Sequence, residues 1–145
     1  MANVFDVAAY ILSKRSSMTA MKLQKLVYYS QAWSLVWDEA PLFPERIEAW
    51  ANGPVVRELY EAHRGLFRID NIGPGNPNAL TKKQRDTVDS VLKFYGDKPS
   101  QWLSDLTHQE APWLNARKGY ASGAYCDREI TLAAMAEYYG ALAAK

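Results

Sequence analysis

The sequence is poor in the residues that build covalent or metal-centred frameworks, with one cysteine and two histidines among 145 residues. Because a disulfide needs two thiols, Cys126 alone excludes an intrachain bridge and any metal site built from several thiolates. His63, His108 and Cys126 are the best potential metal ligands, and their spacing fits no zinc finger. We therefore expect no metal and no cofactor.

Long apolar runs are also absent. No stretch approaches the roughly 20 apolar residues of a membrane-spanning helix. The apolar N-terminal stretch is interrupted by Asp6 and is followed by Lys14 and Arg15, whereas a signal peptide has its positive charge first. We therefore expect a cytoplasmic protein without a membrane partner.

Neither sign of charge dominates, because 17 Lys and Arg face 16 Asp and Glu and the net charge is +1. Such a balance gives no general attraction to nucleic acid, and we do not expect nucleic acid as a partner. One alternative stays open, a DNA-binding transcriptional regulator. It would use a surface formed by Arg15, Lys22 and Lys25, and a helix pair near residues 19–37 resembles a helix-turn-helix.

What is present is a series of short helices with clear start signals, and the fold class is mainly α. The pattern predicts a compact single domain over residues 1–145, with about seven helices and a few short strands. "RIEAWAN" alternates weakly and predicts one strand. Polar residues that can cap helix N-termini stand before four of the apolar segments, namely Asn3, Thr19, Thr81 and Thr131.

Two of these helices carry specific expectations. In "AMKLQKLVYYSQAWSLVW" the spacing of Leu23, Leu26 and Val27 predicts an inner face, with Lys22, Lys25, Tyr28 and Tyr29 on or beside the opposite face. Pro54 fits the first position of a third helix, where its missing N–H would be unpaired in any case.

The stretch "LTHQEAPW" poses the question of catalysis. Its H-x-E resembles the zinc deaminases, which also need a downstream P-C-x-x-C that one cysteine cannot supply. The residues around Cys126 show no pattern typical of a reactive nucleophilic cysteine, and a free cysteine is more often an inert small hydrophobic residue. An enzyme built on His108, Glu110 and Cys126 remains an alternative. We expect a non-enzymatic corner between two helices, with His108 bridging backbone groups and Trp113 filling the core.

Four segments in order resemble the Panacea domain, the antitoxin domain typified by the Soc system. They are "MKLQKLVYYSQAWSL", "PLFPERIEAWANGPVVRELYEAHRG", "THQEAPW" and "EITLAAMAEYY". The resemblance runs from about residue 21 to residue 139. We expect the motif residues to form a domain-specific scaffold, comprising Trp50, Gly53, Pro54, Thr107, His108, Glu110, Pro112 and Trp113.

The resemblance implies an antitoxin that binds and neutralises a cognate toxin protein. In the Soc system the antitoxin is also an adaptor that delivers its toxin to the ClpXP protease, and that role is implied here as well. Some members carry a further DNA-binding domain, and we expect none in this chain. The toxin's identity and the oligomeric state stay open.

Aromatic residues flanked by charges are typical of partner surfaces, and two stretches fit. The first is the second helix, with Lys22, Lys25, Tyr28 and Tyr29, and we favour it. The second is the third helix, where Arg57 and Glu61 are spaced to pair. Its candidates are Arg57, Tyr60, Glu61 and Arg64.

Trp50 and Trp113 each lie near Pro or Gly turn residues, which indicates rings packed beneath backbone corners. We expect both to be structural. Replacing a buried tryptophan by alanine costs about 3–5 kcal/mol.

Overall fold

A computed structural model describes residues 2–145 of the chain. This part of the protein forms seven helices, as the sequence predicts. They are α1 (Val4–Arg15), α2 (Ala20–Trp37), α3 (Arg57–His63), α4 (Lys82–Tyr95), α5 (Ser100–His108), α6 (Ala111–Ala116) and α7 (Leu132–Ala143).

Five short strands complete the fold and form two small antiparallel sheets. In one, β1 pairs with β4, and in the other the order is β3-β2-β5. The strands are β1 (Met18–Thr19), β2 (Ile47–Trp50), β3 (Gly53–Val55), β4 (Arg68–Ile69) and β5 (Glu129–Ile130).

The four predicted N-caps are confirmed. Asn3 Oδ1 accepts a hydrogen bond from the Asp6 N–H at 2.9 Å, and Thr19 and Thr131 cap α2 and α7 in the same way. Thr81 and Gln84 form the reciprocal capping box at the start of α4. These contacts are local, so the sequence alone specifies them.

The prediction that Pro54 begins the third helix is wrong. Pro54 lies in edge strand β3, and α3 begins only at Arg57. Gln24 on α2 holds the intervening residue extended, because its amide accepts from the Val56 N–H at 2.9 Å and donates to the Val56 carbonyl at 3.3 Å. A proline is tolerated at a sheet edge. Here the Gln24 side chain, which is distant in sequence, fixes the extended conformation of the backbone at Val56.

Helix α2 is the centre of the molecule. It packs against α1, α4, α5 and α7 and against β3, so that residues 23–34 are all buried. The buried apolar residues of the other elements join it in one core. Within residues 2–145, no helix combines the length and apolarity that crossing a bilayer requires.

Candidate functional site

The predicted exposed face of α2 does not exist. Lys25, Tyr28 and Tyr29 are all buried, and Lys22 is half-buried. The prediction that these side chains point away from the core is wrong, because neighbouring elements cover α2 on every side along this stretch. Lys25, Tyr28 and Tyr29 therefore contribute to the packing of the core and do not form an exposed binding face.

Lys25 lies beneath the Gly53–Pro54 turn. Its Nζ donates to the Pro54 carbonyl at 3.3 Å, and no carboxylate pairs with it in the described chain. Burial in this uncharged environment lowers the pKa of Lys25 to about 7. Gly53 has φ +122°, and a Cβ there would lie 2.5 Å from Lys25 Cε and 3.1 Å from Thr107 Oγ1. The motif residues of α2, β3 and α5 thus form one packed unit.

Glu110 is a further buried ionisable residue, and tyrosines surround it. Its Oε1 accepts hydrogen bonds from the hydroxyls of Tyr29 and Tyr139, each at 2.7 Å. The Tyr139 hydroxyl also lies 3.1 Å from that of Tyr28. No cation pairs with Glu110 among the described residues, and burial raises the pKa of its carboxyl group.

The structure separates the two chemical groups of "HQE". The His108 ring stacks on Trp113 at 4.1 Å, whereas the Glu110 carboxylate bonds to the tyrosines. The predicted bridging role of His108 is wrong for Nε2, which is buried without a hydrogen-bond partner in the described chain. Cys126 is buried in the core. Across residues 2–145, no three His, Cys, Asp or Glu side chains lie close enough together to hold a metal ion.

Trp113 supports the corner between α5 and α6 from a half-buried position. Its Nε1 donates to the Trp50 carbonyl at 2.8 Å, and the Arg117 guanidinium lies over its ring at 5.1 Å. Pro112 is buried beside it at the start of α6. The expectation that Trp113 fills the core holds only in part.

Replacing Trp113 by Ala should lower the free energy of unfolding by about 2 kcal/mol, below the range for a fully buried ring, because part of the indole already contacts water. Urea denaturation measures this, with Trp113→Phe as the control that keeps the stacking on His108. A Trp113→Ala variant as stable as the wild type that no longer binds its partner would make Trp113 an interface anchor instead.

Part of the candidate surface on α3 makes contacts within the protein itself. Arg57 pairs with Glu48 at 2.9 Å rather than with Glu61, and Glu61 lies 3.7 Å from Arg64. The predicted Arg57–Glu61 pair is therefore wrong, because β2 presents a buried carboxylate to Arg57. Tyr60 packs edge-on against Trp50.

A cleft of about 710 Å³ lies between α3 and α5. His63 and His108 are in its lining, with the exposed Leu66 and Phe67 at the side. His63 is structurally engaged, because its Nε2 lies 3.0 Å from Gln24 Nε2 and so accepts a hydrogen bond from it. The cleft mixes polar and apolar groups, and no carboxylate of the described residues lines it.

A largely apolar groove of about 480 Å³ lies between α2, α4, α5 and α7, and we call it the aromatic groove. Four of its large side chains are between 40% and 65% exposed. They are Trp37, Phe94, Trp102 and Leu142. The Glu110 carboxylate also lines the groove.

Sequence reasoning missed this groove. Neither Trp37 nor Trp102 is predicted from the sequence to lie at a partner surface, yet both are exposed. One signal was available in α4, where Phe94 falls off the inner stripe formed by Val88, Val91 and Tyr95. A large aromatic off the buried stripe of an otherwise charged helix indicates a use at the surface.

The comparisons with known proteins bear on the whole arrangement. A family model described as "Antitoxin SocA-like, Panacea domain" matches residues 23–114. This match covers well over half of the chain and includes Lys25, the Gly53–Pro54 turn and the "THQEAPW" corner. No curated protein and no solved structure matches. The match confirms the resemblance seen in the sequence motifs: the chain belongs to the Panacea-domain family of SocA-like antitoxins.

Proposed function

We propose that this protein neutralises a cognate toxin protein by direct binding and that the aromatic groove is the binding surface. Membership of an antitoxin family supports the class of function. The choice of this surface rests on the exposed aromatic rings that surround one depression. Three different helices contribute them, with Trp37, Phe94 and Trp102.

Exposed aromatic rings are typical of binding hot spots, because they bury a large area on binding and lose little side-chain entropy. Trp37 is held in place by stacking on Trp33 at 5.0 Å, and Phe94 packs edge-on against Tyr95. Such pre-ordering lowers the entropic cost of association. His108, Glu110 and Cys126 have no catalytic role in this proposal.

Direct binding suffices for neutralisation in this proposal. Delivery to ClpXP, which the resemblance to the Soc antitoxin implies, would add degradation to a complex that is already inactive. Growth rescue in host cells that lack ClpX separates the two steps. Rescue without ClpX supports neutralisation by binding, and rescue only with ClpX supports the adaptor role.

The probe for binding is the product of an adjacent open reading frame that arrests growth when it is expressed alone. Trp102→Ala and Phe94→Ser should each weaken its affinity about 30-fold, the loss expected for a hot-spot residue, while both variants remain folded at the temperature of the titration. Calorimetric titration measures the affinity. The matched control is Phe67→Ser, which removes an exposed ring outside the groove.

Each outcome discriminates. No binding of the wild-type protein to such a product overturns the function. Binding that resists both groove substitutions but is lost in Phe67→Ser moves the surface to the cleft beside α3.

A further inference from the structure

The aromatic groove contains a charge that the chain itself does not neutralise. Glu110 Oε1 is occupied by the hydroxyls of Tyr29 and Tyr139. Its second oxygen, Oε2, accepts no hydrogen bond within residues 2–145 and is still reached by solvent. Because Glu110 lines the groove, this oxygen is the carboxylate oxygen available to an occupant there.

The surroundings of this carboxylate are otherwise apolar or aromatic, apart from Ser90 and the Tyr95 hydroxyl. A basic side chain stands near the rim at Lys98, whose Nζ lies 4.8 Å from the centre of the Trp102 ring. Lys98 neither bonds to Glu110 nor lines the groove. An occupant that covered the groove with apolar groups alone would leave Glu110 Oε2 desolvated and unpaired, which is costly.

We infer that the toxin segment that fills the aromatic groove is apolar and carries one lysine or arginine whose side chain pairs with Glu110. This inference rests on the proposed function. The apolar part of this segment would pack against the rings of α2, α4 and α5, and its single cation would pair with the unpaired Oε2 of Glu110. An anionic occupant such as nucleic acid is disfavoured by the same carboxylate.

A second copy of this chain fits the groove less well. A two-fold axis running through the groove would bring the same groups together from both sides. Two Glu110 carboxylates without cations would then face one another in an apolar interface, where like charges repel strongly. A different protein with a complementary charge avoids this repulsion.

The first variant is Glu110→Gln, which has nearly the same shape and keeps an oxygen acceptor for the two tyrosines. We expect its affinity for the toxin to fall at least about tenfold, as for a lost charge-assisted pair. A set of toxin variants, each with one Lys or Arg changed to Met, is titrated against both antitoxin forms. One toxin variant should bind the wild-type antitoxin about tenfold more weakly than the unmodified toxin does. The same variant should bind Glu110→Gln about as tightly as the unmodified toxin does, since the pair is then already broken.

A second pair of variants does not depend on the buried cluster. Ser90 is exposed at the groove, so a charge there is tolerated by the fold. Ser90→Lys should weaken toxin binding several-fold more than Ser90→Glu, because the two side chains differ little in bulk but oppositely affect a cation in the groove. Tyr29→Phe, which removes one donor to Oε1 only, is the control for disturbance of the cluster and should change affinity little.

The outcomes separate this inference from the function on which it rests. If Trp102→Ala weakens binding but Glu110→Gln and the Ser90 pair behave like wild type, the groove is the binding surface and the charge inference is overturned. The charge inference is also overturned if no toxin cation couples to Glu110. If the wild-type protein binds no toxin at all, the proposed function and this inference both fail.

Discussion

Raising the pH from 7 to 9.5 should stabilise this protein by about 3 kcal/mol, because buried Lys25 loses its proton far more easily in the folded state than in the unfolded state. Burial lowers the pKa of Lys25 from 10.5 to about 7. Between these two values the unfolded chain binds the extra proton, so deprotonation favours folding as the pH rises. Lys22 contributes with the same sign, since burial lowers its pKa too.

The pH range over which stability rises has an upper limit, which is set by the tyrosines. Burial raises the pKa of Tyr10 and of Tyr95 to about 12, and it raises those of Tyr28, Tyr29 and Tyr139 as well. Above about pH 10 the unfolded chain releases tyrosine protons that the folded chain retains, so stability falls again. Burial lowers the pKa values of His63 and His108, which places their titration below this range.

Urea denaturation at half-unit steps from pH 7 to pH 9.5 measures the effect. Lys25→Met, which keeps most of the side-chain volume and removes the amine, should lose most of the rise and keep only the smaller contribution of Lys22. A wild-type stability that stays flat over this range, or a Lys25→Met variant with the full rise, would contradict the assignment to Lys25.

Replacing Gly53 by Ala should destabilise the fold by about 3 kcal/mol, from two causes that add. The φ angle of +122° is strained for any residue with a Cβ, at a cost of about 1–2 kcal/mol. The new Cβ would also lie 2.5 Å from Lys25 Cε. Lys25 is fully buried and held at the Pro54 carbonyl, so its side chain has little room to move, and overpacking of this kind costs about 1–3 kcal/mol.

Gly119 provides a matched control. Its φ of +93° is also positive, but a Cβ there meets nothing within 4 Å. Gly119→Ala should therefore cost only the backbone strain, about 1 kcal/mol. The difference between the two variants in urea denaturation isolates the clash with Lys25. Equal losses for both would show that the turn moves to accommodate the methyl group.

The parts of the fold that the sequence predicts are those fixed by neighbours in the chain. The caps at Asn3, Thr19, Thr81 and Thr131 depend on side chains three residues from their partners, and all four form as expected. At Pro54, tertiary contacts override the local signal for a helix start. The strand there is fixed by contacts from α2 that no local sequence pattern contains.

The candidate site was harder to predict, for a related reason. A helix with one inner stripe has an outer face, but α2 is enclosed by other elements, so Lys25 and Tyr29 had no outer face to occupy. The aromatic groove draws its rings from three helices, and α2 is distant in sequence from α4 and α5, so no periodicity within one helix could assemble Trp37, Phe94 and Trp102. Glu110 was singled out for its motif, and only the structure shows what it contacts.

The packing of α7 against α2 has a consequence for the order of synthesis. The hydroxyls of Tyr28 and Tyr139 meet across 111 residues of sequence, and α7, together with α4, makes the most extensive contacts with α2. On the ribosome, α7 emerges after every other element described. Until then α2 keeps one apolar flank open to water, Glu110 lacks one of its two donors, and the groove lacks the wall that Leu142 provides. A nascent chain that stops within the preceding loop therefore has neither a closed core nor the proposed binding surface, so the proposed neutralising activity requires that translation has passed α7.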